Sequence, residues 1–192
     1  MDGLSLRVIG RMFGVSKESV RQWILKFEEA FAEKNLADEK ERDVILLDET
    51  KVKRNGRIAY VSICLDLERR EVISSRCAIS ISSLSSILVL KEALKSCRRA
   101  PLVITDHAPW YKYAFQSLGL DYIQKTFGIR NPIERWYRTF KQRTKSFYNN
   151  FPIRDPSRAI ERISSFLHLF AYWYNHMRPH ETFNGRVPSS LS

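Results

Sequence analysis

Cysteine is scarce: Cys64, Cys77 and Cys97 are the only three in 192 residues. Their odd number and scatter exclude a disulfide framework and fit reduced thiols in a cytosolic protein. Long hydrophobic runs are also missing. No apolar stretch approaches the roughly 18–20 residues that span a bilayer, and the first residues carry no apolar segment of the signal-peptide kind. There is no internal repeat and no low-complexity segment. Acidic charge is in deficit, with 21 Asp and Glu against 32 Lys and Arg, a net charge of +11.

A surplus of this size implies a polyanionic partner, and nucleic acid is the leading class. The surplus is localised. Residues 1–42 carry eight basic and eight acidic side chains, so the whole excess belongs to residues 43–192. Residues 4–27, LSLRVIGRMFGVSKESVRQWILKF, read as two short helices around a tight turn. Leu6, Ile9 and Phe13 share one face of the first, Gly14 suits its C-terminus and Ser16 the N-cap of the second, which Val20, Ile24 and Phe27 line. The spacing fits a helix-turn-helix over residues 1–30, with Lys17, Ser19, Arg21 and Gln22 as candidates for DNA contact. A plain helical hairpin is the bland alternative. The usual supporting first helix is missing from this stretch. Residues 31–42 are charged and read as a linker.

From residue 43 the pattern is mixed α/β. Val44–Leu47, Ile58–Leu65, Glu71–Ile79 and 101–106 are strand-like, and DYIQKTFG (121–128) is a possible fifth strand. Helices are expected at Ser82–Ser96, 109–119, Pro132–Tyr148 and Pro156–Met177. In the last, Ile160, Ile163, Leu167, Phe170 and Tyr174 form an apolar stripe suited to a core or a dimer contact.

Three acids stand at element ends. The apolar run Val44–Leu47 enters Asp48 directly, Asp106 follows the fourth strand, and Glu134 lies in the first turn of NPIERWYRTFKQRTK. A carboxylate at the end of a buried strand is costly unless it is paired or faces water. Adjacent parallel strands would bring Asp48 and Asp106 to one sheet edge, and a helix beside them could add Glu134. Such a set of hard oxygen donors suits Mg²⁺ or Mn²⁺. Two ions at such a site can activate an attacking oxygen and stabilise the leaving oxygen of a phosphodiester. Each acid also has an innocent role. Asp48 could open a turn, Asp106 could cap the helix begun by Pro109, and Glu134 could close a capping box with Asn131 as N-cap. Their joint placement favours the site. Arg135, Arg138, Lys141, Arg143 and Lys145 follow Glu134 with no acid before Asn150. Glu134, Arg138, Lys141 and Lys145 share a helix face able to track a phosphate backbone. Ile133, Trp136 or Tyr137, Phe140 and Phe147 mark another face, read as core rather than base-stacking.

At these residues the sequence resembles the DDE transposases of bacterial and archaeal insertion sequences, the insertion-sequence-six group above all. The carrying segments are LLDETKVKRNGRIAYVSICLD, ITDHAPWYKYAF, NPIERWYRTFKQRTKSFYNNF and YNHMRPHETFNGRVPSS. The resemblance covers nearly all of residues 43–192. It implies an α/β, RNase H-like domain with a mixed five-stranded sheet flanked by helices, preceded by the helix-turn-helix. It implies Asp48, Asp106 and Glu134 as catalytic metal ligands holding two Mg²⁺ or Mn²⁺ ions. It further implies double-stranded DNA partners (terminal repeats and target), a homodimer or larger assembly, no membrane, and a nucleoid-associated place in a prokaryotic cytoplasm. The interval between Asp106 and Glu134 is somewhat shorter than the group's usual one. Two rival readings stand beside this one: a non-catalytic DNA-binding derivative, and an RNase H-like nuclease without strand transfer. Asp66 is a reserve carboxylate. Glu49 could join the metal site, although a neighbouring strand residue points the opposite way. His107 beside Asp106 could touch a phosphate, and His176 with His180 have a zinc-like spacing.

Overall fold

The computed structural model describes residues 4–32, 36–54, 56–125, 128–144 and 155–191. Strands β1 (Val44–Arg54) and β2 (Arg57–Asp66) form a long antiparallel hairpin, paired from Ile45–Asp66 to Arg54–Arg57. β3 (Val72–Ala78) joins β2 antiparallel, while β4 (Leu102–Thr105) and β5 (Tyr122–Gln124) add in parallel on the other side. The order is β3-β2-β1-β4-β5, a mixed five-stranded sheet. One expectation needs correcting: β1 does not end at Leu47. Pairing with β2 carries it through the charged run to Arg54, whereas its ladder with β4 stops at Leu46.

Both faces of the sheet are covered, which is why Val44–Leu47 is continuously apolar rather than alternating. Leu46, Val61, Ile63 and Leu65 face α5 (Asn131–Arg143) and α6 (Pro156–His176). Ile45, Leu47, Cys64 and Val103 face α3 (Ser83–Leu94) and α4 (Pro109–Leu118). On the first face Trp136 stacks on Phe140 with centroids 5.5 Å apart and meets Phe170 edge-on at 5.4 Å. Trp136, Tyr137 and Phe140 are buried, so this face of α5 is core and no base-stacking surface. Ser82 and Ser85 close a reciprocal capping box on α3, and Gly119 ends α4 in the left-handed conformation. Asn175 replaces a missing strand neighbour. Its side chain bonds the N–H and C=O of Val72, both at 2.8 Å, and the Leu36 carbonyl at 2.9 Å.

Helices α1 (Leu6–Phe13) and α2 (Lys17–Ala32) meet at Gly10, where an added Cβ would stand 2.6 Å from the Val15 carbonyl oxygen. Ser16 caps α2 as expected, accepting the Ser19 N–H at 3.0 Å. The expected apolar faces are only partly covered. Val20 is buried, but Phe13, Ile24 and Phe27 are exposed, because two helices alone cannot enclose them. The end of α2 reaches α6, with Phe31 edge-on to Tyr172 at 4.5 Å. Residues 36–42 are stitched into the sheet domain. Leu36 and Ala37 are buried, and Lys40 donates to the carbonyls of Ser189 and Leu191.

Arg42 is fully buried and donates to Asp66 at 2.6 Å and Glu71 at 2.8 Å. Asp66 also accepts the N–H groups of Glu68 and Arg69. The reserve carboxylate is therefore committed to the β2–β3 turn and to a buried ion triad. Among the described residues, no helix is long and apolar enough to cross a membrane.

Candidate active site

The parallel register of β1 and β4 matches Leu46 with Ile104. Continued two residues on, it sets Asp48 level with Asp106, and the Thr105 hydroxyl donating to the Leu47 carbonyl at 2.9 Å fixes the step between. The sheet thus brings two of the three expected acids together. Asp48 is 13% exposed in its side chain and forms an ion pair with Arg130 at 2.8 Å. Its other carboxylate oxygen accepts the Glu49 N–H at 2.9 Å. Burial pushes the Asp48 carboxyl up to about 6 against the pull of Arg130, and the charge of Asp106 adds to the rise. Glu49 bonds the Tyr111 hydroxyl of α4. Burial, then the charges of Asp48 and Asp106, push it up to about 8. The charges of Asp48 and Asp106 thus raise neighbouring carboxyls, and the Arg130 guanidinium compensates only in part.

Asp106 also has part of its innocent role, accepting the Ala108 N–H at 3.0 Å just before α4. Glu134 does not have its own. Helix α5 starts one residue earlier than expected, Arg130 stands at the N-cap, and no side chain caps the helix. Glu134 is exposed one turn along from Arg130, whose carbonyl accepts its N–H at 3.2 Å. Among the described residues, no group of three His, Cys, Asp or Glu side chains is close enough to hold a metal. Glu134 therefore stands apart from the aspartate pair, on the helix whose first residues contact it. Arg130 and Tyr111 were missed by sequence reasoning. Arg130 is four residues before Glu134, which puts it on the same helix face, and that spacing was the available signal.

No protein-family model matches the chain. It is 32% identical over 177 residues to the uncharacterized protein MJ0017 of Methanocaldococcus jannaschii, covering 90% of this chain and 80% of that one. The chain belongs to the MJ0017 family. A second uncharacterized protein, aq_aa24 of Aquifex aeolicus, is 47% identical over 49 residues, 26% of this chain and 40% of that one. Among solved structures, the magnesium complex of the HTLV-2 integrase catalytic core domain (trimeric form) superposes with TM-score 0.53 at 15% identity, covering 81% of this chain and 97% of that one. The catalytic core of BIV integrase gives 0.55 at 14% identity over 76% and 90%. A chain of the simian T-cell lymphotropic virus intasome with PP2A regulatory subunit B56 gamma gives 0.58 at 16% identity. It matches 81% of this chain, which spans 56% of that one. The fold of this MJ0017-family member is therefore the RNase H-like fold of integrase catalytic cores.

An open groove of about 720 Å³ runs beside Glu49 of this MJ0017-family chain, with Lys51, Trp110 and Lys141 among its lining. On α5, Arg138 and Lys141 are exposed, as the stripe requires, and so is Arg135. Arg143 instead lies over the Trp173 ring at 5.7 Å, and Lys145 falls outside the described residues. On α2, Lys17 shares a shallow concavity with Arg7 and Arg11. Ser19 is bonded to Ser16, and Glu18 holds both Arg21, at 2.6 Å, and Gln22, at 3.0 Å. His107 is exposed. His176 approaches the Leu36 carbonyl at 3.3 Å while His180 meets the Tyr174 ring, so the two histidines serve different contacts.

Proposed function

We propose that this protein is a DNA transposase that cuts at insertion-sequence ends and joins the exposed 3′-OH to target DNA. The observation that carries this reading is the level placement of Asp48 and Asp106 at the β1–β4 edge of an RNase H-like sheet, in a crowd of under-neutralised carboxylates. The residue types fit a divalent metal: oxygen donors on Asp48 and Asp106, partly buried and mutually repelling, with the exposed carboxylate of Glu134 on the adjoining helix. Asp48, Asp106 and Glu134 would hold Mg²⁺ or Mn²⁺. Such ions, when bound, polarise a phosphodiester and favour the ionised form of an attacking oxygen. Arg130 would meanwhile orient Asp48, and Tyr111 would orient Glu49. The basic face of α5 and the groove lined by Lys51 and Lys141 would hold the DNA backbone, and α1–α2 would add contacts through Arg7, Arg11 and Lys17. Two ends must be paired for joining, so an assembly of at least two copies is expected.

The test is incubation of the protein with linear DNA bearing the element's terminal repeats and Mg²⁺ or Mn²⁺, beside Glu134→Gln. Nicked and joined products from the parent chain alone support the reading. Cutting without joining makes the protein an RNase H-like nuclease. Binding without cutting by either chain makes it a DNA-binding derivative.

A further inference from the structure

A second cavity, about 330 Å³, opens beside α5 near the β2–β3 turn. Its lining includes Arg70, Arg135, Arg138, Arg178 and His180, with Glu181 as the single acid among them. These groups come from three places in the chain: the turn, α5, and the segment following α6. Among the described residues, none of the four guanidinium groups forms a salt bridge. Arg178 lies over the Tyr174 ring at 5.4 Å, which orients it without neutralising it. The Nε of Arg70 and the Nε2 of His180 are buried with no hydrogen-bond partner. The cations also feel one another. Burial first, and then the charge of Arg135, opposes the charge on Arg70, and burial first, then Arg178 and Arg70, oppose protonation of His180.

Like charges converge in a partly dry cavity only at a cost, unless an anion joins them. The backbone adds an independent sign. Arg70 sits at φ 58°, a left-handed conformation that disfavours a long side chain and favours glycine. The turn is held by the Asp66 side chain and by the Arg70 N–H donating to the Asp66 carbonyl at 3.0 Å, so arginine is not needed to build it. Strain retained at such a position points to use of the side chain. Guanidinium groups match tetrahedral oxyanions with paired N–H donors, and phosphate is the oxyanion a basic nucleic-acid-facing helix meets.

We propose that this cavity is a phosphate-binding subsite that seats one phosphodiester group of DNA lying along α5, with Arg70 and Arg178 completing what Arg135 and Arg138 begin. This rests on the reading of α5 as a DNA-contacting helix. The sequence segment YNHMRPHETFNGRVPSS thereby acquires a role, since it supplies Arg178 and His180.

The experiment compares the parent chain with Arg70→Gly and Arg178→Gln in two assays. The first is the melting temperature in inorganic phosphate against chloride of equal ionic strength. The second is the salt dependence of binding to linear duplex DNA. The proposal expects phosphate to protect the parent chain and not the variants. It expects DNA affinity about tenfold weaker in each variant, with the slope of log K against log salt reduced by about one. Glycine relieves the strain at position 70, so Arg70→Gly is expected to stay folded, and Arg178→Gln checks the result from another element. Unchanged phosphate protection and an unchanged slope in both variants would overturn the proposal. Lost phosphate protection with an unchanged DNA slope would overturn it too, by making free phosphate the ligand. DNA cleavage is not read in either assay. A chain that binds DNA with the expected slopes yet never cuts it speaks against the transposase reading and leaves the subsite standing.

Discussion

Two clusters of charge, one buried and one partly exposed, lie in the same sheet domain and are built differently. At the β2–β3 turn, Arg42 sits between Asp66 and Glu71, all three buried, and backbone groups together with Arg69 add further bonds to Arg42 and Asp66. At the β1–β4 edge, Asp48, Glu49 and Asp106 crowd together with Arg130 on Asp48 alone. The first cluster is closed: every charge has a partner supplied by the chain. The second leaves carboxylate charge in excess and opens beside a groove. A stable fold needs the first kind. The second kind costs stability and marks a candidate functional site.

The comparison breaks most visibly at Arg42. Arg42→Met leaves the buried Glu71 without a counter-ion and Asp66 with only Arg69, at 3.4 Å, and it is expected to cost about 3–5 kcal/mol of unfolding free energy in a urea titration. Arg130→Gln should cost less, about 1–2 kcal/mol, because Asp48 is already pushed up to about 6 and can take a proton instead of staying charged. Equal losses at the two arginines would erase the distinction.

A smaller effect sharpens it through pH. The folded chain binds a proton at Asp48 and at Glu49 more tightly than the unfolded chain does, since their ordinary values are 3.8 and 4.5 and the folded ones about 6 and about 8. Stability from these groups is therefore fully present below about pH 4 and is lost as pH rises through 6 and then 8. Glu49→Gln removes the second part. Its melting temperature should exceed that of the parent chain at pH 8.5 and match it near pH 4.5, as read by calorimetry. A variant that melts lower at both values would place Glu49 among ordinary stabilising groups. Smallest of all, Glu18→Gln releases Arg21 and Gln22 and should strengthen duplex binding by about threefold at low salt, measured by fluorescence anisotropy.

Much of the sheet domain was legible in the sequence. The β-branched runs locate β2 and β3 to within a residue at each end, and Pro109 with Gly119 bracket α4, because propensity and turn chemistry act locally there. Asp48 and Asp106 were legible as a pair for the same reason: each follows a buried apolar run, and parallel pairing aligns them. The rest depends on distant partners. Arg130 is defined by an acid far earlier in the chain, and Asp66 is taken from the list of candidate ligands by an arginine in a segment read as linker. Arg21 and Gln22 were assigned from helix position, which does not register Glu18 one turn earlier. The extent of β1 was missed because its charged half is held by pairing with β2 rather than by burial.

The most direct test of the open cluster is isothermal titration of Mn²⁺ into the parent chain and Asp106→Asn near neutral pH. Saturable binding by the parent chain is expected, weakened at least about tenfold in Asp106→Asn and accompanied by proton release as the raised carboxyls ionise. No binding by the parent chain, or equal binding by both, would contradict the claim that the Asp48–Asp106 edge is a cation site.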